Sequence, residues 1–130
     1  LDFKTGDAKG LTLTGSTNDE IFELLRDPKY KQALQLLIYT LLLHTNKIFS
    51  EPGLSIHCKI YSFKSNKGYV PLTIEKNKEK VPINSELMHS FETWLCTLLK
   101  KIIETEMFTQ TQDRKRCRLC PYNRLCMRTA

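Results

Sequence analysis

Two hydrophobic periods alternate along the chain, and each stretch is assigned from the period it keeps. Residues 1–4, LDFK, read as the end of a buried strand. Side chains leave a strand on alternating faces, so Asp2 and Lys4 project together while Leu1 and Phe3 go to the opposite side. Residues 5–17 hold glycines at 6, 10 and 15 and read as a loop in which LTLT pairs briefly at most. The stretch STNDEIFELLRD predicts a helix: Ser16, Thr17 or Asn18 caps it, acids fill its first turn, and Ile21, Leu24 and Leu25 form an apolar stripe. Asp27-Pro28 ends it, because proline pushes the preceding residue out of the helical region. Residues 29–44 predict a longer helix, apolar nearly all round and therefore buried on most sides.

The two-residue period returns in LSIHCKIYSF at 54–63. NKG at 66–68 supplies a turn, and YVPLTIEK predicts a second strand, at an edge or irregular position because Pro71 lacks an N–H. The two strands are expected as a hairpin, followed by a charged, exposed run at 76–80. Residues 84–106 predict a long helix with Leu87, Phe91, Trp94, Leu95, Leu98 and Ile102 inward and Lys100, Lys101 and Glu104 outward. Phe91 and Trp94 read as core, and His44, His57 and His89 as structural. Strand, helices, hairpin and long helix make a mixed α/β layer structure around a small sheet.

Length and charge sharpen this picture. The 130 residues allow one domain or part of one. The longest apolar run, LQLLIYTLLL, is interrupted by Gln35, Tyr39 and Thr40 and falls short of the ~20 residues of a membrane span. No secretory signal pattern is present, so a soluble protein with no membrane partner is expected. Five of the net +6 charges fall in residues 113–128, DRKRCRLCPYNRLCMR. This divides the chain into a core at 1–112 and a basic cysteine-rich tail at 113–130. Such a tail suits a polyanion, with Arg114, Lys115, Arg116 and Arg118 as phosphate contacts, or else is a solvated basic end.

Three constellations carry candidate chemistry. Asp2 and Lys4 form a same-face carboxylate–ammonium pair, able to hold Mg²⁺, orient a water and stabilise charge developing on a phosphate. By itself D-x-K is also an ordinary charge pair. Gln35 and Tyr39, four apart on the apolar helix, share a face, with Gln32 one turn earlier. A polar stripe there needs polar partners, which an active site or neighbouring backbone would supply. Third, Cys117, Cys120 and Cys126 have metal-ligand spacing, and Pro121 favours the sharp turn. The count of five cysteines is odd, which fits a reducing, cytoplasmic compartment better than a disulfide framework. A fourth ligand would be Cys58, Cys96, a histidine, or a cysteine outside the chain.

In that order, D-x-K on a strand, Q-x-x-x-Y on the next long helix and a terminal C-x2-C-x5-C, the chain resembles the RecB/AddB-like branch of the PD-(D/E)XK nuclease superfamily. LDFKTG is similar to the family's strand signature, LQLLIY to its Gln-Tyr helix motif, and CRLCPYNRLCMR to the cysteines of members with a [4Fe–4S] cluster. The resemblance implies a restriction-endonuclease-like mixed sheet flanked by helices, truncated at its N-terminal side. It implies Asp2 and the Phe3 backbone carbonyl as ligands of Mg²⁺ or Mn²⁺, and Lys4 as the catalytic lysine. Gln35 and Tyr39 would contact that lysine or the DNA backbone, and Cys117, Cys120 and Cys126 would be three of four cluster ligands.

The family places a further acidic residue, a strand with an Asp, and a lone Cys ahead of D-x-K, where only Leu1 stands here. The resemblance therefore implies the C-terminal portion of a metal-dependent DNA exonuclease domain, acting with a helicase in recombination repair, inactive in isolation and with an incomplete cluster. Strand edges left open would admit a homodimer. The alternatives are a non-catalytic DNA-binding or scaffolding module whose basic tail an iron–sulfur or zinc site stabilises, and, more weakly, a zinc-ribbon-like interaction domain.

Overall fold

Parallel strands cannot be joined by a tight turn; they require a crossover, usually through a helix. In the structure, a computed structural model, β1 (Asp2–Lys4) lies parallel to β3 (Lys59–Ser62), with Asp2, Phe3 and Lys4 opposite Ile60, Tyr61 and Ser62. The intervening chain carries the crossover helix α2 (Lys31–Thr45). Residues 1–46, 56–64, 68–118 and 120–127 are described, without the side chains of Lys115 and Arg116.

The strands form two three-stranded sheets rather than one. In the first, β3 also pairs antiparallel with β4 (Tyr69–Pro71), the expected hairpin. In the second, β2 (Thr12–Gly15) runs parallel to β5 (Thr73–Lys76), which pairs antiparallel with β6 (Glu79–Val81). YVPLTIEK is thus two strands, divided at Leu72. That residue is buried, its N–H donates to the Cys58 carbonyl (2.8 Å), and the next N–H donates to the Leu11 carbonyl (2.8 Å). At this point the chain changes sheets. The stretch expected as loop contains β2, and the charged run at 76–80 contains the tight turn Asn77-Lys78 and the start of β6. Both turn residues have positive φ, 52° and 71°, as two-residue hairpin turns that match strand twist require. Residues 54 and 55 of the expected strand, and 66 and 67 of the expected turn, lie outside the described residues.

Helix α1 (Asn18–Glu23) is shorter than its apolar stripe suggests. The Thr17 hydroxyl accepts from the Glu20 N–H (3.2 Å), and the Glu20 carboxylate accepts from the Ser16 N–H (2.7 Å), a reciprocal cap. Two 3-10 turns, Leu24–Arg26 and Pro28–Tyr30, carry the chain past Asp27-Pro28 into α2. Only one face of α2 is buried, through Ala33, Leu36, Leu37 and Thr40, whereas Tyr39, Leu42 and Leu43 are exposed. The expectation of burial on most sides fails because the core covers a single stripe of the helix.

Helix α3 (Ser85–Ile103) starts where the Asn84 side chain accepts from the Leu87 N–H (3.0 Å). Leu87, Met88, Phe91 and Trp94 are buried, with Phe91 5.5 Å from Phe22 and 6.0 Å from Trp94 between ring centroids. The indole N–H donates to Glu23 (3.2 Å), so this large ring is buried with its polar atom satisfied. The inward stripe ends early, since Leu99, Ile102 and Ile103 are exposed. Two compact units, Leu1–Leu98 and Leu99–Ala130, divide within the last turns of α3. The second holds α4 (Arg114–Cys117) and a series of turns. Among the described residues no helix is long and apolar enough to cross a membrane.

Cys58 is buried beside Thr40, with Sγ 2.9 Å from the hydroxyl oxygen. That hydroxyl already donates its proton to the Leu36 carbonyl (2.8 Å), so the thiol is the donor in the pair. Burial, which disfavours the thiolate, raises the thiol pKa. Because the thiolate is the nucleophile, Cys58 is expected to alkylate far more slowly than exposed Cys96 in the native protein, and at a similar rate in denaturant. Peptide mass spectrometry after timed iodoacetamide treatment measures this, and equal native rates would contradict the burial.

Candidate active site

Strand β1 is polar where it faces the helix and apolar where it faces out. Asp2 and Lys4 lie on the side of their partners Ile60 and Ser62, both buried, while Leu1 and Phe3 are 65% and 60% exposed. The expected buried strand end is therefore inverted. Its charged residues go inward, because acceptors wait there and not outside.

The Lys4 ammonium is 3.0 Å from Asp2 Oδ2 and donates to Gln35 Oε1 at 2.9 Å. A lysine ammonium only donates, so the Gln35 amide must turn its oxygen to Lys4 and its nitrogen away. That nitrogen donates to the Tyr39 hydroxyl at 2.6 Å. Tyr39 is 46% exposed, and with its oxygen accepting from Gln35 its own O–H is available to an acceptor outside. Asp2, Lys4, Gln35 and Tyr39 thus form one connected line from the edge of the first sheet to the surface of α2. Lys4 donates to Gln35 and Gln35 to Tyr39, so the line runs from the strand to the exposed phenol.

Neighbouring contacts hold β1 against α2. Gln32, one turn before Gln35, accepts from the Lys9 N–H (2.8 Å) and donates to the Asp7 carbonyl (3.1 Å). It clamps the loop after β1 and does not join the Lys4 line, so the polar stripe on α2 divides into a glutamine that holds the loop and a glutamine that meets Lys4. The buried Ser62 hydroxyl donates to the Gly6 carbonyl (2.8 Å). Gly10, at φ 64°, passes so close to the Lys29 carbonyl that a Cβ would collide with it. This close approach requires glycine.

Asp2 Oδ2 is buried, its contact with Lys4 lacks hydrogen-bond geometry, and among the described residues it has no hydrogen-bond donor. A buried carboxylate oxygen in that condition is costly and calls for a cation. The Lys4 ammonium supplies one positive charge there. A divalent ion fits the chemistry of Asp2 and of the adjacent Phe3 carbonyl, but these are only part of a ligand shell. Among the described residues, no group of three or more His, Cys, Asp or Glu is placed to hold a metal.

That statement covers the cysteine tail also. Cys117, Cys120 and Cys126 are free and partly exposed on successive turns, with the Cys120 N–H on the Cys117 carbonyl (3.1 Å) and the Cys126 N–H on the Tyr122 carbonyl (3.0 Å). Of the candidate fourth ligands, Cys58 is committed to the core and its Thr40 hydrogen bond, and Cys96 is exposed on α3. His57 and His89 are exposed. Arg114 and Arg118 are exposed, whereas the side chains of Lys115 and Arg116 lie outside the described residues. Sequence reasoning missed the roles of Gln32 and Ser62 as clamps. A glutamine one turn before the Q-x-x-x-Y pair was the available signal for the first, and nothing local marked the second.

The line has a ranked energetic signature. Gln35→Leu removes the acceptor of Lys4 and is expected to cost about 0.5–1.5 kcal/mol in urea denaturation. Tyr39→Phe should cost less, because water replaces the hydroxyl at an exposed position. A larger loss for Tyr39→Phe would refute the order of the line.

The sequence model of the PD-(D/E)XK nuclease superfamily matches residues 1–127. Neither the curated proteins nor the solved structures show a significant match. The match runs from the Asp2–Lys4 pair through the crossover helix to the cysteine turns, and the mixed α/β layers are consistent with the restriction-endonuclease-like fold of that group. With nearly its whole length matched, the chain belongs to the PD-(D/E)XK nuclease superfamily.

Proposed function

We propose that this chain is the catalytic part of a metal-dependent DNA exonuclease of the RecB/AddB-like branch, working beside a helicase in recombination repair. One observation carries the reading: the Lys4 ammonium is held between Asp2 and Gln35 on the inner face of β1. Supporting it are the superfamily match and the Gln35–Tyr39 hydrogen bond, which ends at an exposed phenol.

In this mechanism Lys4 places a positive charge beside the phosphate, where negative charge grows as water attacks. Gln35 fixes the ammonium by accepting one of its protons. Tyr39 donates its free O–H to a neighbouring phosphate oxygen and so registers the strand along α2. Asp2, with the Phe3 carbonyl, would be part of the shell of Mg²⁺ or Mn²⁺. That ion, when bound, would supply Lewis acidity to activate the attacking water. Alone, the described residues contribute one carboxylate, so the isolated chain is expected to show little or no turnover. The tail, residues 113–130, would grip DNA phosphates through Arg114, Lys115, Arg116 and Arg118 and be ordered by a [4Fe–4S] cluster on Cys117, Cys120 and Cys126, with a further ligand required.

The lack of a gathered metal set among the described residues favours a second reading, a DNA-binding module without cleavage. End-labelled linear DNA, incubated with the full-length protein and Mg²⁺, separates the two. Degradation is expected, and Lys4→Ala should slow it by about 10²–10³-fold, the scale of losing one preorganised stabilising group. Cleavage that survives Lys4→Ala would end the nuclease reading at this site, and binding without any cleavage would establish the module. For the tail, Arg114→Ala with Arg118→Ala should lower the slope of log affinity against log salt by about 0.9 per lost duplex contact. Anaerobic preparations should carry iron and sulfide, and zinc alone would exclude the cluster.

A further inference from the structure

Two lysines share one carboxylate past the C-terminal ends of β1 and β3. Asp7 Oδ2 is 3.2 Å from the Lys9 ammonium and 3.9 Å from that of Lys64. The side chains of Asp7, Lys9 and Lys64 are 40%, 76% and 68% exposed. One acid between two bases leaves a net positive charge, and ion pairs this open to water are weak. Asp7 is therefore a counter-ion that a stronger anion displaces.

The backbone beneath the three side chains is fixed. Gln32 holds the loop by two bonds, accepting from the Lys9 N–H (2.8 Å) and donating to the Asp7 carbonyl (3.1 Å). Just before Lys64, the Phe63 N–H donates to the Lys4 carbonyl (3.0 Å) and the Ser62 hydroxyl to the Gly6 carbonyl (2.8 Å). Lys64 follows β3, the central strand of its sheet, and Lys9 is tied to α2, so neither is presented by the free edge of β1. Two ammoniums that bear on a single oxygen from anchored backbone suit a phosphate, whose several acceptor oxygens meet both at once.

Helix α2 sets the place of this pair. Gln32 holds the loop of Lys9, Gln35 one turn later meets Lys4, and Tyr39 one turn beyond carries the exposed phenol. At the rise of an α-helix, Gln32 lies about 4.5 Å along the axis from Gln35, on the side away from Tyr39. We propose that Lys9 and Lys64 form a subsite for a DNA phosphate neighbouring the one at Lys4, and that Asp7 is a built-in competitor that fills it in the free protein. When DNA binds, both ammoniums turn to the phosphate, and the Asp7 carboxylate stays close by as a charge that weakens the complex. The inference rests on the nuclease reading for the identity of the polyanion, and it extends that reading to two lysines and an acid.

The sign of the Asp7 effect is the test. Fluorescence anisotropy with the full-length protein and end-labelled linear DNA in EDTA measures binding apart from cleavage. Asp7→Asn is expected to bind about two- to fivefold more tightly than the parent. Glu79→Gln removes the same charge from an exposed position on β6 and should leave the affinity unchanged. Lys9→Ala and Lys64→Ala should each weaken binding and lower the slope of log affinity against log salt by about 0.7–0.9. Circular dichroism should confirm that the variants fold, and if Asp7→Asn does not, the lysine slopes decide alone. The proposal is overturned if Asp7→Asn binds as the parent does or more weakly, as a purely structural ion pair predicts. Equal tightening by Glu79→Gln, or lysine variants that keep the slope of the parent, would overturn it also. Weakened binding by the lysine variants in a protein that never cleaves would count against the nuclease reading alone. Lys4-dependent cleavage with lysine variants that bind like the parent would count against the subsite alone.

Discussion

A lysine ammonium turned toward the inside of a small sheet is tolerable only when acceptors are already there to meet it, and the arrangement of the first sheet follows from meeting that need for Lys4. Its charge faces the Asp2 carboxylate, and its proton is accepted by Gln35. Removing either partner would leave a partly desolvated charge uncompensated, which is more costly than the pair itself is favourable. The contact also ties a three-residue strand to the crossover helix, joining elements 31 residues apart in sequence. The Gln32 clamp ties the loop after β1 to the same helix, the Ser62–Gly6 hydrogen bond ties it to β3, and Gly10 passes close to the Lys29 carbonyl just before the helix. They keep the two ends of the Lys4 contact in reach.

The inverted polarity of β1 has a second consequence. If charge occupies the inner side, the apolar residues must lie outside, and a lone exposed phenylalanine would be a liability. Here it is one of four rings that cover part of one another's surface. Contacts of this kind contribute about 0.5–1.5 kcal/mol per pair beyond area burial, so the rings help hold together a sheet of very short strands. The Tyr61–Phe63 and Tyr61–Tyr69 contacts are edge to face, whereas Phe3 lies tilted against Tyr61 and stacked on Phe63.

The pairing of the candidate site residues was legible because their spacing matches the period of the element that holds them. Asp2 and Lys4 are two apart on a strand, and Gln35 and Tyr39 four apart on a helix, so each pair shares a face in any fold that keeps those elements. The capping residues of α1 and the core face of α3 were legible for the same local reason. The change of sheet at Leu72 was not, because it depends on the Cys58 and Leu11 carbonyls, which are distant in sequence. Nor was the hairpin at Asn77-Lys78, since lysine with positive φ is not a turn signal and charged pairs such as Glu75–Lys80 read as plain surface.

Taken alone, the sequence determined which side chains travel together: a carboxylate with an ammonium, an amide with a phenol, and three thiols within a basic tail. Period and spacing impose this whatever surrounds the elements. Only the tertiary structure decided which side of each element is inside. The burial of the polar face of β1 and the division of the polar stripe on α2 into a loop clamp and a partner of Lys4 depend on which acceptors the crossover brings opposite. Those acceptors belong to residues far along the chain, so no local pattern can encode the choice.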